Sequence, residues 1–189
     1  MYQSSSNGKP DSRPAVTAVI SLGSNMGERE NNILSAAGRV AGSSGIVSAR
    51  LSSLYETAPV GEGYSRPFVN AVMIVRTTLS PRALLALGQG LEREAGRVRA
   101  AGAGDRPLDV DIILYGDAGV DAPDLRIPHP RFMERLFVLA PLAELDPGFI
   151  LPGGLTAAEA AAQGAPGGRV ERISSRSRIC RKSLKTGKY

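Results

Sequence analysis

Apolar positions along this 189-residue chain cluster or alternate in four segments and recur at helical spacing in two others. The four segments, residues 15–22, 46–55, 68–77 and 106–116, have strand composition and are separated by turn residues or helical patterns. Helical spacing runs from Asn31 to Val40 and again after Ser80-Pro81, where serine suits an N-cap and proline the first helical position. A short helix is predicted over 157–163. The long loop 56–67 lies between the second and third strands, and loops of that length are often functional.

The predicted order is β, α, β, β, α, β, which is typical of a ferredoxin-like βαββαβ sandwich of the α+β class. Its antiparallel sheet carries two helices on one face, so we expect the active site on the loops and the open side. Residues 1–14 are rich in serine, glycine, asparagine and proline and are predicted to be disordered. We expect one domain over 15–165 and a disordered basic tail over 166–189.

Charge is distributed unevenly along the chain. The formal net charge is +5, but residues 169–189 hold eight Lys and Arg against one acid, which is +7, so residues 1–168 carry about −2. The folded body is therefore not basic. The single cysteine, Cys180, excludes a disulfide framework, and one histidine makes a zinc site improbable. No long apolar stretch or signal-peptide pattern occurs, so we expect a soluble, cytoplasmic protein.

Two carboxylates, Asp109 and Asp111, stand in the apolar run 106–116. Residues two apart on a strand project to the same side, so both acids face one way. The opposite face is assigned to Leu108, Val110, Ile112 and Leu114. Two like charges this close favour a pair of Mg²⁺ ions, the usual apparatus of phosphoryl transfer. The alternative is two solvated acids on an exposed sheet face.

Basic residues near these acids suit a polyphosphate. Arg97 and Arg99 precede the small, flexible stretch 100–105, and Arg106 follows it. Guanidinium groups match phosphate oxygens, and no Walker or kinase glycine-rich loop is present to replace them. The only histidine, His129, lies between two prolines, and a lone histidine is as often structural as functional.

Seven segments occur together in a characteristic order. They are Ser21–Asn25, Tyr55–Gly61, Phe68–Ala71, Gly96–Arg99, Arg106–Ile112, Ile127–Arg131 and Arg135–Leu142. Over about residues 15–151 the chain thereby closely resembles the 6-hydroxymethyl-7,8-dihydropterin pyrophosphokinases of folate biosynthesis. The resemblance implies transfer of the β,γ-pyrophosphoryl group of ATP to the hydroxymethyl oxygen of the dihydropterin, with release of AMP.

The resemblance also implies roles for individual residues. Catalytic positions are Arg97, Arg106, Asp109 and Asp111, of which the two acids would hold two Mg²⁺ ions. ATP-binding positions are Gln89, Glu92, Arg99, Ile112, Arg126, His129 and Arg135. Pterin-binding positions are Thr57, Ala58, Pro59, Val60, Phe68, Asn70 and Phe137. The implied partners are the two small-molecule substrates, and no membrane, nucleic acid or obligate protein partner is expected.

The pterin positions also have a physical rationale. Phe68 and Phe137 would stack on a flat heterocycle, although without the resemblance both are ordinary core residues. Asn70 shares a strand face with Phe68 and leads into an apolar run, so its amide needs hydrogen-bond partners.

Some positions depart from the family pattern. Many relatives carry a tryptophan and a Gly-Pro before the arginine at position 106, whereas 100–105 has neither, and Asp124 replaces an arginine that nearby Arg126 could substitute. Two other functions stay open at this stage. One is an RNA-binding ferredoxin-like module, although the expected aromatic pattern is absent. The other is a relative that binds ATP without catalysis.

Overall fold

The computed structural model describes residues 13–58, 64–97, 104–164 and 170–174. The strands are β1 Val16–Ser24, β2 Ile46–Leu51, β3 Leu54–Thr57, β4 Phe68–Thr77, β5 Asp109–Tyr115, β6 Val120–Ala122, β7 Leu125–Ile127 and β8 Val170–Ser174. The helices are α1 Arg29–Gly42, α2 Pro81–Glu94, α3 Leu136–Leu145 and α4 Ala157–Ala162, with a 3₁₀ turn at Phe132–Glu134.

The main sheet is antiparallel throughout and has the order β5-β1-β4-β3-β8, with β2 also paired to β4. Helices α1 and α2 pack on one face, which confirms the predicted ferredoxin-like α+β fold. Their core includes Ile20, Leu22, Ile33, Met73 and Leu91. Ser80 caps α2 as predicted, since its hydroxyl accepts a hydrogen bond from the N–H of Ala83 at 3.2 Å.

The predicted strand 46–55 is two strands, β2 and β3, because its ladder breaks at Ser52 and Ser53. The Ser52 hydroxyl accepts from the backbone N–H of Val72 at 3.0 Å, and the N–H and hydroxyl of Ser53 donate to Glu144 on α3. Glu144 also accepts from the Tyr55 hydroxyl at 2.8 Å, and burial together with this carboxylate raises the tyrosine pKa. Ser52 is therefore bonded to β4, and Ser53 and Tyr55 attach the start of β3 to α3.

Helices α3 and α4 cover half of the second sheet face, and sequence periodicity did not predict α3. Its residues are apolar on nearly every side, so they give no helical stripe. With β1, β4 and β5 they form a second core that includes Val19, Val72, Val138, Leu139 and Leu142. The face that an RNA-binding module would leave open is therefore only half free.

A bulge in β5 corrects the predicted face of Leu114. Ile112 pairs with Ile20 and Leu114 pairs with Val19, so Ile113 is an extra residue in β5. Ile112 packs in the core under α1 and α2, whereas Ile113 and Leu114 both pack under α3. The assignment of Leu114 to the face of Leu108 was wrong, because the bulge shifts the alternation by one residue.

Strand β8 corrects the predicted tail. Residues 170–174 pair with β3, with Val170 opposite Thr57 and Glu171 opposite Glu56. The expectation of disorder from residue 166 onward is wrong for these five residues. The predictions for 1–12, 166–169 and 175–189 lie outside the described residues. Among the helices described, none has the length and apolar character needed to cross a membrane.

Replacing Gly88 with alanine is expected to destabilise the fold. A Cβ at Gly88 would lie 2.9 Å from Cγ1 of Val110, so α2 would have to move away from β5. Overpacking typically costs about 1–3 kcal/mol, which exceeds the gain of about 1 kcal/mol in helix propensity. Denaturant unfolding should therefore give a lower free energy for Gly88→Ala. Gly90→Ala is the control: its Cβ would meet nothing closer than 3.9 Å, so its stability should rise.

Candidate active site

A cavity of about 340 Å³ opens on the free half of the second sheet face, within the size range of small-molecule sites. Strands β1, β3, β4 and β5 supply its floor, and the segments before α3 supply one wall. Its lining consists of Ser21, Gly23, Thr57, Ala58, Tyr64, Phe68, Asn70, Arg97, Arg106, Asp109, Asp111, His129, Arg131, Glu134, Arg135 and Phe137.

Asp109 and Asp111 lie side by side on this floor, upstream of the bulge, and arginines contact both. Asp109 pairs with Arg97 and, at 3.2 Å, with Nη1 of Arg106. Asp111 pairs with Nη1 of Arg135 at 3.1 Å. Burial, then the charge of Asp109, raise the pKa of Asp111 to about 6 in spite of Arg135. Burial and the neighbouring carboxylate therefore disfavour the ionised form of Asp111, even though three arginines contact the acid pair.

Glu92 on α2 fixes Arg97 beneath the acids. It is buried, and its Oε1 atom accepts from both the Arg97 guanidinium and the backbone N–H of Val110, the latter at 3.0 Å. A buried carboxylate bound in this way stabilises the positive charge of Arg97 and fixes the orientation of its guanidinium group. Glu92 therefore contacts the site from behind rather than lining the cavity.

Arg106 is fixed at the backbone by Asn25, which is 1% exposed. The Asn25 amide oxygen accepts from the Arg106 N–H at 2.6 Å, and the backbone N–H of Asn25 donates to the Arg106 carbonyl at 3.1 Å. Its guanidinium contacts Asp109 on one side and the hydroxyl of Tyr64 on the other. Arg106 is thus attached to the end of β1 by its backbone, and to β5 and the loop before β4 by its side chain.

The other end of the cavity is aromatic and amide-lined. The Asn70 amide donates to the Thr57 hydroxyl at 2.9 Å, so the partner that the sequence requires is present. Its amide oxygen lies at the floor, where a Cβ built on Gly23 would be 3.1 Å away. Phe68 lies beside this amide, 3.8 Å from the same Cβ position, and Phe137 lines the cavity with its ring 5.6 Å from the Arg135 guanidinium carbon. A flat ligand that can form hydrogen bonds fits these groups.

His129 is neutral at physiological pH. Burial, followed by the positive charge of Arg135, lowers its pKa to about 4. Its Nδ1 atom accepts from the backbone N–H of Arg131 at 3.2 Å, so Nε2 carries the proton and can donate to a ligand.

The lowered pKa of His129 predicts the direction in which folding stability changes with pH. The folded state resists protonation of His129 while the unfolded state accepts the proton near the usual value of 6.5, so stability is lost as pH falls from there toward 4. The difference in thermal midpoint, wild type minus His129→Gln, is expected to decrease between pH 7 and pH 4.5. A constant difference would contradict the assignment of His129 as a neutral, half-buried histidine.

The cavity brings together most of the residues that the sequence predicts for the site. Eleven line it: Thr57, Ala58, Phe68, Asn70, Arg97, Arg106, Asp109, Asp111, His129, Arg135 and Phe137. Glu92 supports it from behind, Ile112 is in the core, and Gln89 on α2 is outside the lining. Arg126 is exposed and pairs with Asp121 at 3.0 Å. Pro59, Val60 and Arg99 lie outside the described residues, and the role of each residue stays a prediction.

Five lining residues were not predicted: Ser21, Gly23, Tyr64, Arg131 and Glu134. Ser21 and Gly23 alternate along β1 on the face of the acids, a pattern that could have indicated them once the pairing of β1 and β5 was known. Tyr64 is the aromatic residue of the long loop. The sequence alone gives no reason to place it beside Arg106.

The acid pair fits a hard divalent cation. Two adjacent carboxylates on one sheet face are suitable oxygen ligands for Mg²⁺. Among the described residues, no group of three or more acids, histidines or cysteines is arranged to hold a metal ion. The chain therefore supplies a partial coordination shell, and Mg²⁺ commonly completes such a shell with water and substrate phosphates.

Comparison with known proteins identifies the family of this chain. A sequence model of the 7,8-dihydro-6-hydroxymethylpterin-pyrophosphokinase family matches residues 19–147. The chain belongs to this family. It is 42% identical over 128 residues to the 2-amino-4-hydroxy-6-hydroxymethyldihydropteridine pyrophosphokinase of Bacillus subtilis, covering 68% of this chain and 77% of the relative. The enzyme of the same name from Methylorubrum extorquens is 37% identical over 156 residues, covering 82% and 98%.

Longer proteins also match. The mitochondrial folate synthesis bifunctional protein of Arabidopsis thaliana is 46% identical over 127 residues, which is 67% of this chain but 23% of that protein. A crystal structure of HPPK-DHPS in complex with substrates superposes with a TM-score of 0.62 at 14% identity, covering 79% of this chain and 43% of that chain. This family member thus corresponds to less than half of those longer chains, and the superposition supports the fold alone.

Proposed function

We propose that this pyrophosphokinase family member transfers the β,γ-diphosphoryl group of ATP to the hydroxymethyl oxygen of 6-hydroxymethyl-7,8-dihydropterin and releases AMP, a step of folate biosynthesis. One observation carries the proposal: a single cavity joins a paired-acid, arginine-rich end to an aromatic end with a buried amide. The first end suits a polyphosphate and the second suits a pterin. The two reacting groups would therefore meet between Asp109 and Phe68.

Asp109 and Asp111 are proposed to hold Mg²⁺, with two ions as the expected number. Bound there, Mg²⁺ would neutralise phosphate charge and make a coordinated hydroxyl more acidic. The residues around it orient the substrates. Phosphoryl transfer depends mainly on such positioning and charge stabilisation.

Arg97, Arg106 and Arg135 are proposed to bind phosphate oxygens. Each now contacts a carboxylate of the site, so the acids keep the guanidinium groups aimed into the cavity. His129 adds a neutral N–H donor from Nε2. A lowered pKa makes this imidazole a poor proton acceptor, so we assign no dedicated general base.

Phe68 and Phe137 are proposed to stack on the pterin, while Asn70 recognises its hydrogen-bonding edge. Thr57 fixes the Asn70 amide so that its oxygen stays available at the cavity floor.

Purified protein incubated with ATP, Mg²⁺ and the hydroxymethyl dihydropterin is expected to form AMP in proportion to the pterin consumed. Product analysis by chromatography checks this, with omission of pterin and addition of EDTA as controls. Release of ADP, or AMP formation that does not depend on pterin, would contradict the proposed reaction. Binding of ATP without turnover would instead favour the non-catalytic relative.

A further inference from the structure

Two dipeptides from different loops face each other at the edge of the cavity. Asp105 accepts hydrogen bonds from the N–H and the hydroxyl of Ser65, at 3.1 and 2.5 Å, and these bonds lower the pKa of its carboxyl group. Next to this pair, the Arg106 guanidinium donates from Nη2 to the Tyr64 hydroxyl. Together Tyr64, Ser65, Asp105 and Arg106 form what we call the clasp. It joins two segments about forty residues apart.

One side of the clasp is attached to the sheet. The Asn25 side chain donates to Asp105 at 2.6 Å and accepts from the N–H of Arg106, also at 2.6 Å. Asn25 is buried directly after β1, the strand that pairs with the acid-bearing β5. Asp105 and Arg106 are therefore positioned against a rigid element, and through Ser65 they position the loop residue Tyr64.

Tyr64 contacts both ends of the cavity. Its ring meets Phe68 edge to face, with centroids 5.2 Å apart and planes at 82°. The guanidinium carbon of Arg106 lies 5.3 Å from the centroid of the same ring. One side chain thus connects the aromatic end to an arginine of the polyphosphate end.

The chemistry of the two contacts to Arg106 differs. Asp109 accepts from Nη1 at 3.2 Å and neutralises charge, whereas the tyrosine hydroxyl is a neutral acceptor that orients the group and leaves its charge in place. Nε of Arg106 is buried and has no hydrogen-bond partner among the described residues. A buried N–H without a partner is costly, so an acceptor from a bound ligand would satisfy it.

We propose that Tyr64 is a positioning residue that couples occupancy of the aromatic end to the orientation of Arg106, an inference that rests on the proposed function. A pterin seated beside Phe68 restricts the Tyr64 ring, and the hydroxyl in turn fixes the guanidinium toward the transferred group. The hydrogen bonds of Asp105 to Ser65 and Asn25 hold Tyr64 in place for this role.

Tyr64→Phe tests this because it removes only the hydroxyl. A lost hydrogen bond to a charged group corresponds to a roughly tenfold lower kcat, while the KM for ATP should stay within about twofold, since the other phosphate contacts remain. Thermal stability should match wild type. Tyr115→Phe is the matched control: its hydroxyl bonds to the Leu79 carbonyl at 2.7 Å away from the cavity, so kcat should not change.

The effect of Tyr64→Phe is then measured in the Arg106→Lys variant, because lysine cannot contact Asp109 and Tyr64 at the same time as the guanidinium does. If Tyr64 acts through Arg106, adding Tyr64→Phe to Arg106→Lys should lower kcat by less than about twofold. Asp105→Ala should lower kcat with the same small change in KM for ATP. Glu159→Ala is its control, since Glu159 accepts from the N–H and hydroxyl of Thr156 in a similar way far from the site.

The outcomes separate this inference from the function on which it rests. A wild-type protein that forms no pterin-dependent AMP overturns both. An active wild type with an unchanged kcat in Tyr64→Phe, or with fully additive losses in the double variant, overturns the role of Tyr64 and leaves the proposed reaction intact. A higher KM for ATP with normal kcat would also contradict it, because positioning for transfer acts on turnover.

Discussion

Asp111→Asn is expected to lower kcat about a thousandfold, and Asp109→Asn by a similar factor, because each removes a charged oxygen ligand from the proposed Mg²⁺ site and from the transition state. Turnover is measured as pterin-dependent AMP release at saturating substrates. Isothermal titration with Mg²⁺ and an unreactive ATP analogue should show weakened metal-dependent binding in both variants. Asp117→Asn, an exposed acid just beyond β5, should behave as wild type.

Although Asp111→Asn should lower kcat, it should not lower the thermal stability of the protein. Its pKa is raised to about 6 by burial and by Asp109, so the folded state favours the protonated carboxyl. The stability gained from protonation is lost as pH rises through that value, which leaves the ionised acid unfavourable at pH 7.5. Metal-free Asp111→Asn should therefore have a thermal midpoint at or above that of wild type. Substantial activity in both asparagine variants would contradict the metal assignment.

Asn70→Leu is expected to lower kcat/KM for the pterin roughly a hundredfold or more. Leucine has nearly the same shape as asparagine, but it cannot form hydrogen bonds with the edge of the pterin. A polar ligand group left buried without a partner costs much binding free energy. The KM for ATP should change little, because the Asn70 amide bonds to Thr57 and carries no charge to attract phosphate oxygens. Steady-state kinetics with each substrate varied in turn separates the two effects.

Thr77→Val provides the comparison for Asn70. Thr77 is a fully buried polar residue on the same strand, β4, and its hydroxyl donates to the Gly45 carbonyl at 2.9 Å away from the cavity. It should lose stability without a change in either KM. If Asn70→Leu shows the same pattern, the Asn70 amide is structural and the pterin assignment is wrong.

The sequence predicted the central elements of the fold because local pattern and final packing agree there. Strand β4 has the predicted bounds, and α2 begins after Ser80 as its capping residues indicate. Helix α3 lacks this agreement, since an apolar surface on nearly every side matches no periodic template. Leu114 was misplaced for a related reason: a bulge depends on how two strands pair, and no single strand encodes it.

The candidate site was predictable where chemistry is local. Asp109 and Asp111 need only strand alternation to face the same way, and most residues implied by the resemblance line one cavity. Contacts between distant segments were not predictable from spacing. Tyr64 meets Arg106 and Ser65 meets Asp105 only because β1, β4 and β5 bring the two loops together. Arg126 is the opposite case. It is close to His129 in sequence, yet it pairs with Asp121 and does not line the cavity.

The extra residue in β5 makes the tolerance to deletions differ along one short strand. Loss of Ile113 would restore regular pairing and leave both acids in register with β1, at the expense of packing under α3. Loss of Val110 would instead turn one of the two acids toward the helices. Homologues that keep the activity should therefore tolerate changes of length after Ile112. An insertion or deletion of one residue between Asp109 and Ile112 should abolish catalysis.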